Sequence, residues 1–280
     1  KICLKDKGLK MAKKNMNVSY KNVYIVVSTK GGEGKTFLSL QILPVLFLNR
    51  NINIFEVDNN NNSKKMIENS QKISFKSFKI DDGLDAMDEI EFNNMLSQDD
   101  SVNIIDAGGG DDTIKLLDIL KEKELFGLTY IVPLSNSISN VDNALQTINS
   151  ILDFDQNAKI NLVLNKCPSF NFDDIQFKFK SFFGNEAFGL PSRYEEFKQK
   201  IQNLNYLTET DLPDIISSKH QYALVDSYLK AKIIMENFDE VKAEWAKNGK
   251  EEFLKAKKLN RINEEIYDYC QTLISSFKLD

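Results

Sequence analysis

The chain has little of what staples a small protein together or anchors one in a membrane. Its three cysteines, Cys3, Cys167 and Cys270, are scattered without CxxC or CxxH spacing, so neither a disulfide framework nor a zinc site is indicated. A reducing compartment, the cytoplasm, is the simplest expectation. The single histidine, His220, cannot build a metal site with one imidazole and reads as a surface or interface residue. No apolar run approaches the roughly 18 residues needed to cross a bilayer. The first 21 residues carry seven lysines and one aspartate, with no apolar signal-peptide core behind them. They are expected to form a mobile arm, with Met11-Ala-Lys-Lys as a natural start and residues 1–10 as an extension ahead of it. There is no internal repeat and no Ser/Gly linker.

What remains is an ordinary soluble globular composition, 42% hydrophobic and 28% charged over 280 residues. A net charge of −5 argues against a protein coated in nucleic acid, while leaving room for a local basic patch. Residues 23 to 36 read Val-Tyr-Ile-Val-Val-Ser-Thr-Lys-Gly-Gly-Glu-Gly-Lys-Thr, a buried strand running into a glycine-rich loop. Such a loop turns backbone N–H groups inward on an anion, and the helix behind it points its positive end at the same place. Gly31, Gly32 and Gly34 supply the conformational freedom. Lys35 reaches β and γ phosphates, and Thr36 offers a hydroxyl to Mg²⁺. Against GxxxxGK followed by Ser or Thr, the first position is Thr29 instead of glycine. The pattern KGGxGK followed by Thr matches, and it opens on a second lysine, Lys30.

Residues 35 to 48 are apolar almost all round, as a helix packed on a sheet should be, with Pro44 expected to kink or shorten it. Ile52 to Val57 is the next strand and ends at Asp58, completing a βαβ unit. Ile73 to Ile80 alternates and reads as an exposed or edge strand. The stretch 81–100, with eight acids and no base, reads as a solvated helix and loop. Val102 to Ile105 is a short buried strand delivering Asp106, with Gly108, Gly109 and Gly110 just beyond it. A helix over 113–121, a strand over 128–134, a helix over 141–154 and a strand over 159–164 follow, the last delivering Asn165 and Lys166. Residues 172–205 read as one or two helices, Tyr206 to Thr208 as a weak last strand, and 216–278 as helices broken near Asn248-Gly249. Trp245 and the many phenylalanines are read as core. The fold class is therefore α/β, a mostly parallel twisted sheet flanked by helices. It is expected to be one domain over 22–280, with a helical C-terminal region from about 216 to 280.

Doubly wound sheets bind ligands beyond the carboxyl ends of their strands, and Lys35, Asp58 and Asp106 all fall there. Asp106 has the position of an acid that holds Mg²⁺ through water, and Gly108 to Gly110 would let backbone approach a γ-phosphate.

The loop opening on Lys30 closely resembles the deviant phosphate loop of the ParA/MinD family of ATPases. The resemblance covers residues 22–166 well, 206–230 weakly and the helical tail hardly at all. It implies a P-loop NTPase that binds ATP or ADP with Mg²⁺ through Gly31, Gly32, Glu33, Gly34, Lys35, Thr36 and Phe37, with Thr36 and Asp106 at the metal. It implies that Lys30 reaches across a two-fold interface to the other subunit's nucleotide, linking ATP binding to homodimer assembly. Lys30, Lys35 and Asp58 then form the catalytic set, Asp58 mainly orienting water, with slow turnover as the consequence. Asn165 matches the position that hydrogen-bonds adenine, and Leu212-Pro213-Asp214 the later loop flanking it, which places Pro213 at the nucleotide. Asn165-Lys166-Cys167-Pro168 lacks the aspartate of the GTPase NKxD motif, so ATP is expected over GTP.

Three features depart from the family pattern. Glu56 is the first of the paired acids, Asn59-Asn60 replaces Pro-Gln after Asp58, and Glu33 sets an anion in the cradle unless it points away or pairs with a cation. The implied function is ATP-driven plasmid or chromosome partition, or positioning of a cargo complex, with hydrolysis stimulated by a partner protein. The alternative is an ATP-binding adaptor or scaffold of a conjugation or secretion system with little hydrolysis. Lys255, Lys257, Lys258 and Arg261 are the candidate contact to nonspecific DNA, with a solvated helix face as the competing reading. The short, nearly uncharged C-terminal stretch gives no membrane-binding helix. The cysteines do not resemble the paired ligands of the iron-protein branch of the superfamily.

Overall fold

Val23–Val26 (β1) is apolar on both sides because it runs through the middle of a sheet, and its side chains alternate between two cores. Val23, Ile25 and Val27 enter one, Tyr24 and Val26 the other. The computed structural model describes residues 22–59, 63–97 and 100–279. The expected arm 1–21, with Cys3 and Met11, and Asn60 lie outside these residues, as does the side chain of His220.

With β1, the strands β2 (Asn51–Val57), β3 (Ile73–Phe78), β4 (Ser101–Ala107), β5 (Thr129–Leu134), β6 (Lys159–Cys167) and β7 (Asn203–Thr208) form one sheet in the order β3-β2-β4-β1-β5-β6-β7. All neighbours are parallel. The register puts both Val26 and Glu56 beside Asp106, so the carboxyl ends of β1, β2 and β4 meet at one edge. The alternating strand 73–78 is indeed an edge strand.

Helices Gly83–Ser97, Asp111–Glu122 and Ile138–Phe154 cover one face, burying Met87, Ile90, Leu116, Leu120, Ile148 and Ile151. The helix behind the glycine loop covers the other, together with Leu224–Glu236 and Arg261–Ser276. Ile266, Cys270 and Leu273 recur at helical spacing, which is why the last helix docks on the second core.

Several elements differ from the sequence reading. The helix after the loop is α over Lys35–Phe37, π over Leu38–Ile42 and α again over Leu43–Leu46, and stops there instead of at Leu48. Leu43 N–H donates to the Leu38 carbonyl, a widened turn just ahead of Pro44, which has no N–H to continue the regular ladder. The acidic helix Gly83–Ser97 is not wholly solvated, since Ala86, Met87 and Ile90 are buried. Between β6 and β7 lie three short α-helices, Phe172–Lys178, Lys180–Phe183 and Tyr194–Lys198, with a 3-10 turn at Glu186–Phe188. Phe182 pins them, its ring edge-on to Phe183, Tyr194 and Phe197. The last strand is a full member of the sheet, with Asn205 and Leu207 buried. Helices Phe238–Lys247 and Lys250–Leu259 pack on each other and contribute no buried residue, so Trp245 is half-buried instead of core. Phe92, Phe177 and Phe188 are exposed. Among the described residues no helix is long and apolar enough to cross a membrane.

Phe182 is fully buried. Phe182→Ala is expected to lower the unfolding free energy by about 3–5 kcal/mol, read from urea denaturation as a shifted midpoint at unchanged slope.

Candidate functional site

The loop between β1 and Lys35 is fastened on several sides. Gly32 and Gly34 have φ of +82° and +95°, which glycine adopts without strain. A Cβ on Gly34 would lie 2.3 Å from Asn165 Nδ2. That amide donates to the Glu33 carbonyl at 2.8 Å, tying the loop to the end of β6. Thr29, where the common pattern has glycine, ties the loop to helix Ile138–Phe154. Its N–H donates to Thr147 Oγ1 at 3.2 Å, and the two hydroxyls lie 3.0 Å apart. Glu33 is turned out of the cradle: its carboxylate is buried and accepts the Ser135 N–H at 3.0 Å.

Lys35 is 7% exposed and donates from Nζ to the Lys30 carbonyl at 3.3 Å. Burial pushes its pKa down, while Asp106, Asp58 and Glu33 pull it back. Lys30 reaches from the loop to helix Ile138–Phe154 of the same chain, donating to Ser139 Oγ at 3.3 Å and to Asn140 Oδ1. A Cβ on Gly109 would lie 3.2 Å from Gly31 Cα and 3.4 Å from Lys35 Nζ. A side chain there would press the loop after β1 back by a few tenths of an ångström.

Asp106 is 1% exposed. Its Oδ1 accepts from Ser39 Oγ at 3.0 Å, while Oδ2 has no hydrogen-bond partner among the described residues. Burial lifts its pKa to about 7, against the Thr36 and Ser39 hydroxyls and Lys35, and with the help of Glu56. Glu56, also buried, accepts Ser77 Oγ–H at 2.8 Å on Oε2, while its Oε1 has no partner among the described residues. An orphaned buried carboxylate oxygen near Thr36 suits a hard divalent cation, which takes oxygen ligands directly or through water. Among the described residues no three His, Cys, Asp or Glu side chains gather into a metal site. That agrees with the habit of Mg²⁺ to take one or two protein carboxylates and leave other positions to water and phosphate.

Beside the loop opens a cavity of about 580 Å³ lined by Phe37, Asn165, Lys166 and Thr208, with Glu209, Asp211 and Asp214 on its acidic side. Pro213 is not on its wall. It is buried in the first turn of helix Leu212–His220, where its fixed φ suits the helix start. Sequence reasoning missed Ser39, although it stands one helical turn after Lys35, and it missed Glu209 and Asp211, while Asp214 lies in the loop it placed beside the base. Lys255, Lys257, Lys258 and Arg261 are exposed and sit apart from the loop. Lys258 and Arg261 border a separate groove of about 800 Å³, and Lys255 lies 3.8 Å from Glu252.

The Asp106 pKa rises from 3.8 to about 7 on folding, so the native state holds the extra proton and stability falls as pH climbs between those values. Asp106→Asn is expected to lose this fall and to melt above the wild type beyond pH ~7 in metal-free, nucleotide-free buffer. Melting temperatures measured across the range check it.

No protein-family model matches the chain, and no curated protein matches it. Solved structures do. The chain is similar to the MinD cell division protein of Aquifex aeolicus, with a TM-score of 0.51 at 12% identity, covering 92% of this chain and 99% of that one. It is similar to the MinC:MinD cell division protein complex of the same organism, with a TM-score of 0.51 at 12% identity, covering 92% and 98%. At such identity the likeness is one of fold: the chain carries the parallel-sheet P-loop fold of MinD.

Proposed function

We propose that the chain is a MinD/ParA-type ATPase that binds ATP with Mg²⁺, closes into a homodimer and hydrolyses slowly under stimulation by a partner protein. It would serve partition of plasmid or chromosomal DNA, or positioning of a cargo complex, in the cytoplasm. The reading rests on one observation: buried Lys35 and buried Asp106, one of whose oxygens has no hydrogen-bond partner among the described residues, meet a loop of positive-φ glycines at one sheet edge. Residues 22–280 would act as one domain with the helical region from about 216 as its elaboration.

The backbone N–H groups of Gly31 to Thr36 cradle the phosphates, and Lys35 reaches the β and γ oxygens. Thr36 and Asp106 hold Mg²⁺, which supplies neutralisation of phosphate charge when bound. Asp58 orients water, and the backbone of Gly108 to Gly110 meets the γ-phosphate. The base enters the cavity beside Phe37. With Asn165 Nδ2 engaged by Glu33, its Oδ1 is the acceptor for an adenine amino group. Lys30 must leave Ser139 and Asn140 to reach the other subunit's nucleotide, so assembly exchanges two internal bonds for contacts to phosphate. Lys255, Lys257, Lys258 and Arg261 are the proposed contact to nonspecific DNA. The adaptor or scaffold of a conjugation or secretion system, with little hydrolysis, stays as the second reading. With Glu33 turned to Ser135, its support comes from the altered residues after Asp58.

Lys35→Ala is expected to abolish binding of a fluorescent ATP analogue. Lys30→Ala should bind it yet keep the same mass with and without ATP in light scattering, and Asp58→Ala should dimerise without releasing phosphate. Equal wild-type mass in both conditions would remove the dimer. Replacing Lys255, Lys257 and Lys258 with alanine is expected to lose a salt-dependent DNA mobility shift. A shift that survives refutes that patch.

A further inference from the structure

Asn59 makes contacts that the proline usual in the family could not make. Its N–H donates to Asp112 Oδ2 at 3.3 Å and its side-chain Nδ2 to Asp112 Oδ1 at 3.2 Å. Its own Oδ1 accepts the Ile80 N–H at 3.3 Å. One side chain thus joins the segments that follow β2, β3 and β4. Asp112 in turn lies against the glycine loop. A Cβ on Gly108 would sit 2.7 Å from Asp112 Cβ and 3.0 Å from Asp58 Cγ. The next residue, Thr113, sets its hydroxyl 2.5 Å from the Gly108 carbonyl and 3.0 Å from the Ser28 carbonyl. The segment carrying Asp58 and the loop Gly108–Gly110 are therefore one hydrogen-bonded body, moored at Ser28 to the root of the phosphate loop.

We propose that Asn59 and Asp112 form a clamp that positions Asp58 against the Gly108–Gly110 loop, so that water orientation and γ-phosphate contact are set together. This rests on the ATPase reading given above. Both are positioning residues that act through Asp58 and the glycine loop. Two such loops held as one body lose less freedom on meeting a triphosphate than two that must be ordered separately.

The chemistry of the pair says what substitutions do. Asn59 presents two donors, and the Asp112 carboxylate presents two acceptors. Asn59→Asp sets two carboxylates face to face. Asp112→Asn leaves one Asn59 donor without an acceptor. Making both changes at once restores two bonds: the backbone N–H of position 59 onto the new amide oxygen, and the new amide N–H onto the new carboxylate.

Phosphate release, binding of fluorescent ATP and ADP, and melting are compared in wild type, both single variants, the double exchange and Asn59→Pro. The single variants and Asn59→Pro are expected to lose roughly 10- to 100-fold in kcat, with nucleotide affinity and melting temperature close to wild type. The double exchange is expected to recover most of kcat. In the nucleotide-free protein, amide hydrogen exchange over residues 57–59 and 107–113 is expected to quicken together in the single variants, by about fivefold, and to return in the double exchange. A double exchange no better than the single variants, or segments that exchange independently, overturns the clamp while leaving nucleotide binding standing. A wild type that binds neither nucleotide overturns the ATPase reading and the clamp's role with it.

Discussion

The parallel register of β1, β2 and β4 buries Asp106 between Val26 and Glu56, where water cannot solvate it, so its environment has to come from the protein and its ligands. The Thr36 and Ser39 hydroxyls provide part of it and Lys35 a nearby positive charge. The remaining oxygen is left over. Lys35 stands in the mirror situation, an ammonium short of water that is held charged by Asp106, Asp58 and Glu33. Each tolerates burial because of the other, and Asp106 keeps an oxygen without a hydrogen bond from the described residues. That residual need is what makes the edge of the sheet a place for a charged ligand.

The two cores keep this arrangement from relaxing. With one row of β1 side chains in each, the strand cannot slip by a residue without sending every side chain to the wrong face. The loop inherits that rigidity at its root, and Asn165, Thr147 and Ser135 hold it along its length. Loops mounted this way place small groups within a few tenths of an ångström without having to be ordered by the ligand.

Much of this was legible in the residues. The apolar runs at 23–27, 52–57 and 102–105 announced buried parallel strands, and the glycines with Lys35 and Thr36 announced the loop. The helical character of 216–278 was readable too, whereas the docking of its last helix through Ile266, Cys270 and Leu273 came from the structure. What was hidden depends on long-range contact. Glu33 looked awkward because its acceptor is satisfied by a backbone N–H some hundred residues away, and no local pattern points to Ser135. Ser39 is an unremarkable serine in an apolar helix until Asp106 is placed beneath it. Pro213 was drawn toward the nucleotide by its neighbourhood, while helix geometry gave the cavity wall to Asp211 and Asp214. The short helices between β6 and β7 were blurred because aromatic packing around Phe182, not periodicity, decides where they break.

The helical pair Phe238–Lys247 and Lys250–Leu259 gives neither core a side chain. Its sequence is consequently held by the contacts of the two helices with each other and by partly buried Phe238 against Trp245 within the first, and not by either core. Leu254 and Leu259 nonetheless remain exposed on it. Substitutions on the outer face of this pair therefore leave both cores, and the site mounted on them, as they are.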